Sequence, residues 1–477
     1  MMRKTAISLA VLAALTAGGC ASAPGTGFGG SVTPLEAKAH PANAKVFEHT
    51  LDNGMKIIVK EDHRAPVMVS QVWYKVGSSY EHNGITGVSH VLEHMMFKGT
   101  KKLGPNEFSK IIAENGGREN AFTGRDYTAY FQTMEKRRLP VSMELEADRM
   151  RNLVLLEEEF KKEVQVVMEE RRMRTEDNPQ SLTYEQFTAT AYVNSPYHHP
   201  VIGWMDDLEN MELDDLAQWY QHWYAPNNAT LVVAGDVNAG EVFALAEKYF
   251  GKLPAGDVPK TKPRQEIEQK GERRIVVKAP AQLPYLIMGY KVPSLKDAAE
   301  PWEPYALEVM AAVLDGGNSA RFARELVRGS EIAADIGTSY DAVSPHQELF
   351  MFSGTPNQGK KIGDLEQAID KQLNKLKTQL VTQAELDRVK AQVVAGKVYE
   401  KDSIFYQAMT IGLLETTGFG WPLAEEYLDK IKAVTPEQVR EVAKKYFISD
   451  NLTVAVLDPQ PLDQNRPVRM GGGRHAR

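Results

Sequence analysis

The sequence predicts an α+β fold built twice in tandem. At 477 residues the chain is too long for one ordinary hydrophobic core. The run Trp223-Tyr224-Ala225-Pro226-Asn227-Asn228-Ala229-Thr230-Leu231-Val232-Val233 returns about 223 residues later as Tyr446-Phe447-Ile448-Ser449-Asp450-Asn451-Leu452-Thr453-Val454-Ala455-Val456. Each half also opens on a strand-like run, Met55-Lys56-Ile57-Ile58-Val59 and Arg274-Ile275-Val276-Val277, so strands, helices and a closing strand occur in both. An apolar content of 43% with 25% charged residues is that of a globular chain, and a net charge of −7 leaves no basic footprint for a nucleic-acid partner.

The N-terminus reads as an export signal. Arg3 and Lys4 precede an apolar run of about a dozen residues, Ala6 to Ala17, too short to span a bilayer. Leu15-Thr16-Ala17-Gly18-Gly19-Cys20 resembles a bacterial lipoprotein processing site, although the leucine lies further from the cysteine than in the usual pattern. Ala21-Ser22-Ala23 offers a rival cleavage site, with Pro24 standing against it. Cys20 is the chain's one cysteine, so no intramolecular disulfide can form. The expectation is a signal peptide over 1–20, a lipid anchor on Cys20 and a Gly-, Pro- and Ala-rich tether over 21–44. No Asp follows Cys20, which by resemblance to bacterial sorting points to the periplasmic side of the outer membrane.

The first half, 45–252, holds the chemistry. His90-Val91-Leu92-Glu93-His94 is an H-x-x-E-H stretch. On a helix, residues i and i+4 share a face, so both imidazoles can reach one metal ion with Glu93 beside them. Two neutral nitrogens and a carboxylate suit zinc. A charged helical stretch follows from Leu155, and in it Glu157, Glu158, Glu159, Glu163, Glu169 and Glu170 are all open as a third ligand. Between these segments, Asn115-Gly116-Gly117 is a turn signal ahead of the strand-forming runs around Asn120-Ala121-Phe122-Thr123 and Tyr127 to Phe131. Tyr197-His198-His199-Pro200 has the look of a metal tract, and Asn228 and Asn451 each begin an N-x-T triplet inside the repeated segment.

A Pro-, Lys- and Glu-rich linker, 253–273, leads to the second half, 274–460. Its counterpart of the His90 segment, Gly316 to Arg328, has no histidine and reads as a supporting helix. Asp214 and Asp215 mark the start of the helix before the first closing strand, and Thr435-Pro436 that of the second. The basic tail 461–477 has few apolar residues and predicts disorder.

On H-x-x-E-H, the E-x-x-V-V-x-E-E run at Glu163 to Glu170 and the N-A-x-T strand at Asn120, the chain resembles the pitrilysin (insulinase) family of zinc metallopeptidases, in the two-domain branch that includes the mitochondrial processing peptidase. The resemblance implies two homologous domains, each a mainly antiparallel sheet packed with helices, that together form half of a clamshell chamber. It selects Glu170, 76 residues after His94, as the third ligand of one zinc ion per chain with His90 and His94. It makes Glu93 the general base, Glu163 a carboxylate supporting a ligand, and Asn120 and Ala121 an exposed edge to which peptide adds as a strand. His198 and His199 then belong to a loop near the site.

One departure stands out. Active relatives carry an arginine and a tyrosine, seven apart, near the end of the Gly316 segment, where this chain has Val327 and Ala334; Arg328 and Tyr340 are out of register. Either this chain binds substrate without the pair or a partner supplies it; the resemblance favours a second two-domain chain in a heterodimer, with a homodimer as the alternative. The implied activity is hydrolysis of peptides or unfolded segments by an exported endopeptidase; the rival is a non-catalytic scaffold subunit of such a heterodimer.

Overall fold

The computed structural model describes residues 38–40 and 43–462. Cys20, the expected signal peptide and residues 463–477 lie outside the described residues. Among the described residues, twelve strands form two sheets. In the first half these are β1 (Lys38–His40), β2 (Asn43–Thr50), β3 (Lys56–Glu61), β4 (Val67–Tyr74), β5 (Arg118–Thr123), β6 (Thr128–Glu135) and β7 (Ala229–Gly235). In the second they are β8 (Arg273–Pro280), β9 (Tyr285–Val292), β10 (Ala333–Ser339), β11 (Glu348–Pro356) and β12 (Leu452–Gln460). β1 and the first residues of β2 fall inside 21–44, the stretch whose composition predicts a tether; β1 nevertheless pairs antiparallel with β2. Backbone pairing at a sheet edge needs no apolar pattern, so composition alone does not reveal it.

The sheets repeat one topology. The first runs β1-β2-β3-β7-β4-β6-β5 and the second β10-β11-β9-β12-β8. Without the β1–β2 hairpin, the first reads β3-β7-β4-β6-β5, and the second, reversed, is its equivalent, β8-β12-β9-β11-β10. In both, the opening strand lies parallel to the closing one, β3 to β7 and β8 to β12, and the other pairings are antiparallel. The tandem α+β prediction and the structure agree, and so do the helix starts. Asp215 and Glu212 form a reciprocal cap on the Leu213–Trp223 helix, and Thr435 and Gln438 do so on Pro436–Tyr446. The expected helix within Gly316–Arg328 is reduced to a widened turn, Phe322–Val327.

Both faces of each sheet are covered, which explains why β4 is buried from Met68 to Tyr74. Side chains alternate across a strand. On one face, Met68, Val72, Leu231 and Val233 join the core that includes Val91, Leu92 and Met95. On the other, Val69, Trp73, Val232 and Ala234 meet Ala408, Ile411 and Trp421, contributed by the second half. The second sheet mirrors this. Leu286, Met288 and Val454 face their own half's core, whereas Ile287, Leu349 and Ala455 meet Phe187, Ala191 and Tyr192 from the first half.

Each half thus lends a helix, Pro179–Ala191 in one direction and Ile404–Thr416 in the other. The approaches are close enough to require glycine. A Cβ at Gly412 would lie 2.1 Å from Trp73, and one at Gly289 would lie 2.5 Å from Phe187. Each large side chain sealed in these contacts contributes about 1.5–3 kcal/mol.

Candidate metal centre and peptide edge

His90, Glu93 and His94 share the Val88–Met95 helix. Eight residues are too few to hold a helix by propensity alone, so its order comes from its surroundings. Val88, Val91, Leu92 and Met95 are fully buried beneath it, which turns the histidines and Glu93 to the opposite face. Its start is fixed by Gly87 at φ 88° and by the buried Glu81, whose carboxylate accepts from the backbone N–H groups of Gly87 (2.7 Å) and Ser89 (2.9 Å). Burial pushes the Glu81 carboxyl up to about 7 against those hydrogen bonds.

Glu163 and Glu170 come from the Glu157–Arg171 helix, which packs against the His90 helix through Val164, Val167 and Met168. Glu170 Oε2 lies 3.8 Å from His90 Nε2 and 3.7 Å from His94 Nε2. The three candidate ligand atoms all fall within 4.8 Å of one another. Four-coordinate zinc with bonds of about 2.0–2.2 Å spaces its ligand atoms roughly 3.3–3.6 Å apart, so small side-chain shifts suffice. The set is two imidazole nitrogens and one carboxylate oxygen, and it fits that ion. Among the described residues, no other three His, Cys, Asp or Glu side chains come together in this way.

The electrostatics suit ligation. Burial, the largest cause, pushes His90 down to about 3, so its imidazole is neutral with a lone pair free at physiological pH. His94 Nδ1–H donates to Glu163 Oε2 at 3.1 Å, which leaves Nε2 as the acceptor facing Glu170. Lys98 Nζ, itself buried, lies 2.7 Å from Glu163 Oε1. Burial alone would raise Glu163, but the hydrogen bonds from His94 and Lys98 win and hold it at about 2.

Glu93 stands beside this group. Burial raises its carboxyl above the ordinary range, opposed by Thr123 Oγ1, which donates to Glu93 Oε2 at 2.6 Å. Thr123 ends β5, the outer strand of the first sheet, which among the described residues pairs with β6 alone. Asn120 and Ala121 are therefore on a sheet edge next to the His90 helix. Ala121 N–H donates to Oδ1 of the preceding Asn120 at 2.9 Å, and the register set by Gly124 N–H to Tyr127 O makes Ala121 and Tyr130 a non-hydrogen-bonded pair, so this N–H points away from β6.

Other sequence candidates lie elsewhere. His198 Nδ1 contacts Ser195 O at 2.6 Å, and His199 Nε2 contacts Asn83 Oδ1 at 2.9 Å; neither joins the His90 group. Tyr340 donates its hydroxyl to Pro293 O at 2.7 Å and stacks on Phe350, while Arg328 donates to Asn318 O. Both are engaged within the second half. Thr123, Lys98 and Glu81 escape the sequence reading. Lys98 had a signal, standing four residues after His94 on the same helical phase; Thr123 and Glu81 meet their partners only through the fold.

Residues 56–203 match the model of the insulinase family, Peptidase family M16, and residues 210–393 match that of the Peptidase M16 inactive domain. The zinc protease PqqE of Helicobacter pylori is 39% identical over 359 residues, covering 74% of this chain and 80% of that protein. The uncharacterized zinc protease YmxG of Bacillus subtilis is 26% identical over 414 residues, covering 87% and 98%. Among solved structures, a protease from Helicobacter pylori superimposes with a TM-score of 0.83 at 34% identity, over 87% of this chain and 100% of that one. A Peptidase M16 inactive domain from Pseudomonas fluorescens shares the fold, with a TM-score of 0.78 at 18% identity over 88% of this chain and 100% of that one.

Proposed function

The chain belongs to the insulinase family of peptidases, family M16, and we propose that it is a zinc-dependent endopeptidase acting on peptides or unfolded segments. One observation carries this reading: His90 Nε2, His94 Nε2 and Glu170 Oε2 converge on one point, with the Glu93 carboxylate alongside. Zinc held by these three side chains would supply a Lewis acid that polarises the scissile carbonyl and acidifies water.

The chain's own residues do the rest. Glu93, ionised, takes the proton from the attacking water and delivers it to the departing amine as the C–N bond breaks. Glu163 and Lys98 hold His94 in the tautomer that presents Nε2. The β5 edge at Asn120 and Ala121 aligns the substrate main chain, which makes few demands on its side chains.

The finer reading adds a place and a partner. The chain is exported, anchored through lipid on Cys20 to the periplasmic face of the outer membrane, and pairs with a second two-domain family member. Val327 and Ala334 stand where an arginine and a tyrosine are expected, and Arg328 and Tyr340 are committed within their own half, which supports a partner that supplies the pair.

The test is Glu93→Gln beside wild type in metal analysis and peptide cleavage, each alone and with a co-purifying homologue. One zinc per chain in both, with turnover at least 10²-fold lower in the variant, is the expected result. Wild type that purifies gently with little zinc and cleaves nothing in either setting sinks the enzyme and leaves the scaffold. Full activity from the isolated chain removes the partner.

A further inference from the structure

The metal group carries a cation that peptide hydrolysis as outlined does not use. Beyond Arg171 the Glu157–Arg171 helix widens into a π-turn, Arg172–Glu176, a local expansion often found at functional sites. From this turn Arg174 reaches back one turn, and its Nη1 lies 2.5 Å from Glu170 Oε1. The two oxygens of Glu170 are thus divided, Oε2 toward the histidines and Oε1 toward Arg174. The guanidinium stands one carboxylate's width from the candidate ligand nitrogens.

The pair is poorly explained as a stabilising device. The Arg174 side chain is 74% exposed while Glu170 is largely buried, and an ion pair with one partner open to water contributes little to stability. The other cations near these carboxylates are committed: Lys98 is buried on Glu163, and Arg172 Nη1 is held at 2.6 Å by Glu169 Oε1. Arg174 spends one nitrogen on Glu170 and keeps further N–H donors in solvent, in the planar fork that matches a carboxylate. Among the described residues, Arg174 is the exposed cation paired with a candidate ligand.

We propose that Arg174 is a specificity-determining residue that binds an acidic side chain, Asp or Glu, of the peptide within about two residues of the cleaved bond. The proposal rests on the peptidase reading above and deepens it. The β5 edge recognises main chain without regard to sequence, so a charge beside the ligands is what gives such a site a side-chain preference. A guanidinium–carboxylate contact with one partner partly in water supports a preference on the order of tenfold.

The test compares matched peptides that carry Glu or Gln beside the cleaved bond, using the full chain with its partner if one is required. Two readouts run in parallel: kcat/KM for wild type, Arg174→Ala, Arg174→Lys and Arg174→Glu, and binding of fluorescently labelled peptide to the same forms in a Glu93→Gln background. Wild type is expected to favour the Glu peptide about tenfold in both readouts. Arg174→Lys keeps most of that ratio, Arg174→Ala brings it near one, and Arg174→Glu reverses it, with zinc content matched across the forms.

Equal handling of the two peptides by wild type overturns the proposal. So does a variant series in which both peptides fall together with zinc content, because that marks Arg174 as a support for Glu170 alone. If the zinc-loaded enzyme cleaves neither peptide, the peptidase reading fails, while the binding readout still decides whether Arg174 prefers an acidic side chain.

Discussion

Thr123 Oγ1 donates to Glu93 Oε2 at 2.6 Å across thirty residues of sequence, joining the end of the peptide edge to the candidate base. Burial raises the Glu93 carboxyl, and the Thr123 hydrogen bond, which favours the ionised form, restrains that rise. Removing the donor in Thr123→Val therefore raises Glu93 further. Because a base must be ionised, the acidic limb of the pH profile of kcat/KM should move upward by about one pH unit. A limb that stays in place, or moves to lower pH, detaches Thr123 from the chemistry.

Glu163→Gln keeps the shape of the side chain but loses the charge that anchors His94 and Lys98. Zinc affinity should fall about 10–100-fold, read by competition with a chromogenic chelator. An affinity within twofold of wild type would show that His94 needs no such anchor.

Ala121→Pro removes the outward N–H on β5. An edge strand tolerates proline, so folding should survive with a Tm lowered by only about 2–4 °C, while KM for peptides rises about tenfold. An unchanged KM would falsify strand addition at this edge.

Glu385 probes stability away from the metal group. Arg321 Nε and Nη2 donate to its two oxygens at 2.8 and 2.9 Å. With the Arg321 hydrogen bond as the largest cause, the Glu385 carboxyl is held at about 2, below its ordinary 4.5. A carboxyl lowered on folding contributes its stability above pH 4.5 and loses it as pH falls toward 2. Glu385→Gln should thus be less stable than wild type at pH 7 by about 1–2 kcal/mol, with the gap closing across that window. Parallel curves of Tm against pH for the two forms would contradict this.

Legibility from sequence follows how local each interaction is. His90, Glu93 and His94 are readable because one helical turn brings them together, and the repeat at Tyr224 and Phe447 is readable because the halves keep similar strand entries. Glu170 is not: six glutamates in its helix are chemically alike, and only packing of Val164 and Val167 against the His90 helix singles out one face, so family spacing had to choose. Thr123 lay in plain view beside Asn120 and Ala121, yet its tie to Glu93 is tertiary. β1 was hidden in a stretch whose glycines and prolines dominate its composition. The lent helices were equally invisible, since an apolar stripe does not reveal whose sheet it covers.

Those lent helices bear on how the polypeptide can be divided. A protease cut within the linker 253–273 would leave the two fragments clasped, each still closing the other's outer wall. Made separately, the first fragment would show Val69, Trp73 and Val232 to water and the second Ile287 and Ala455. Such fragments are suited to complement one another when mixed and to aggregate when alone.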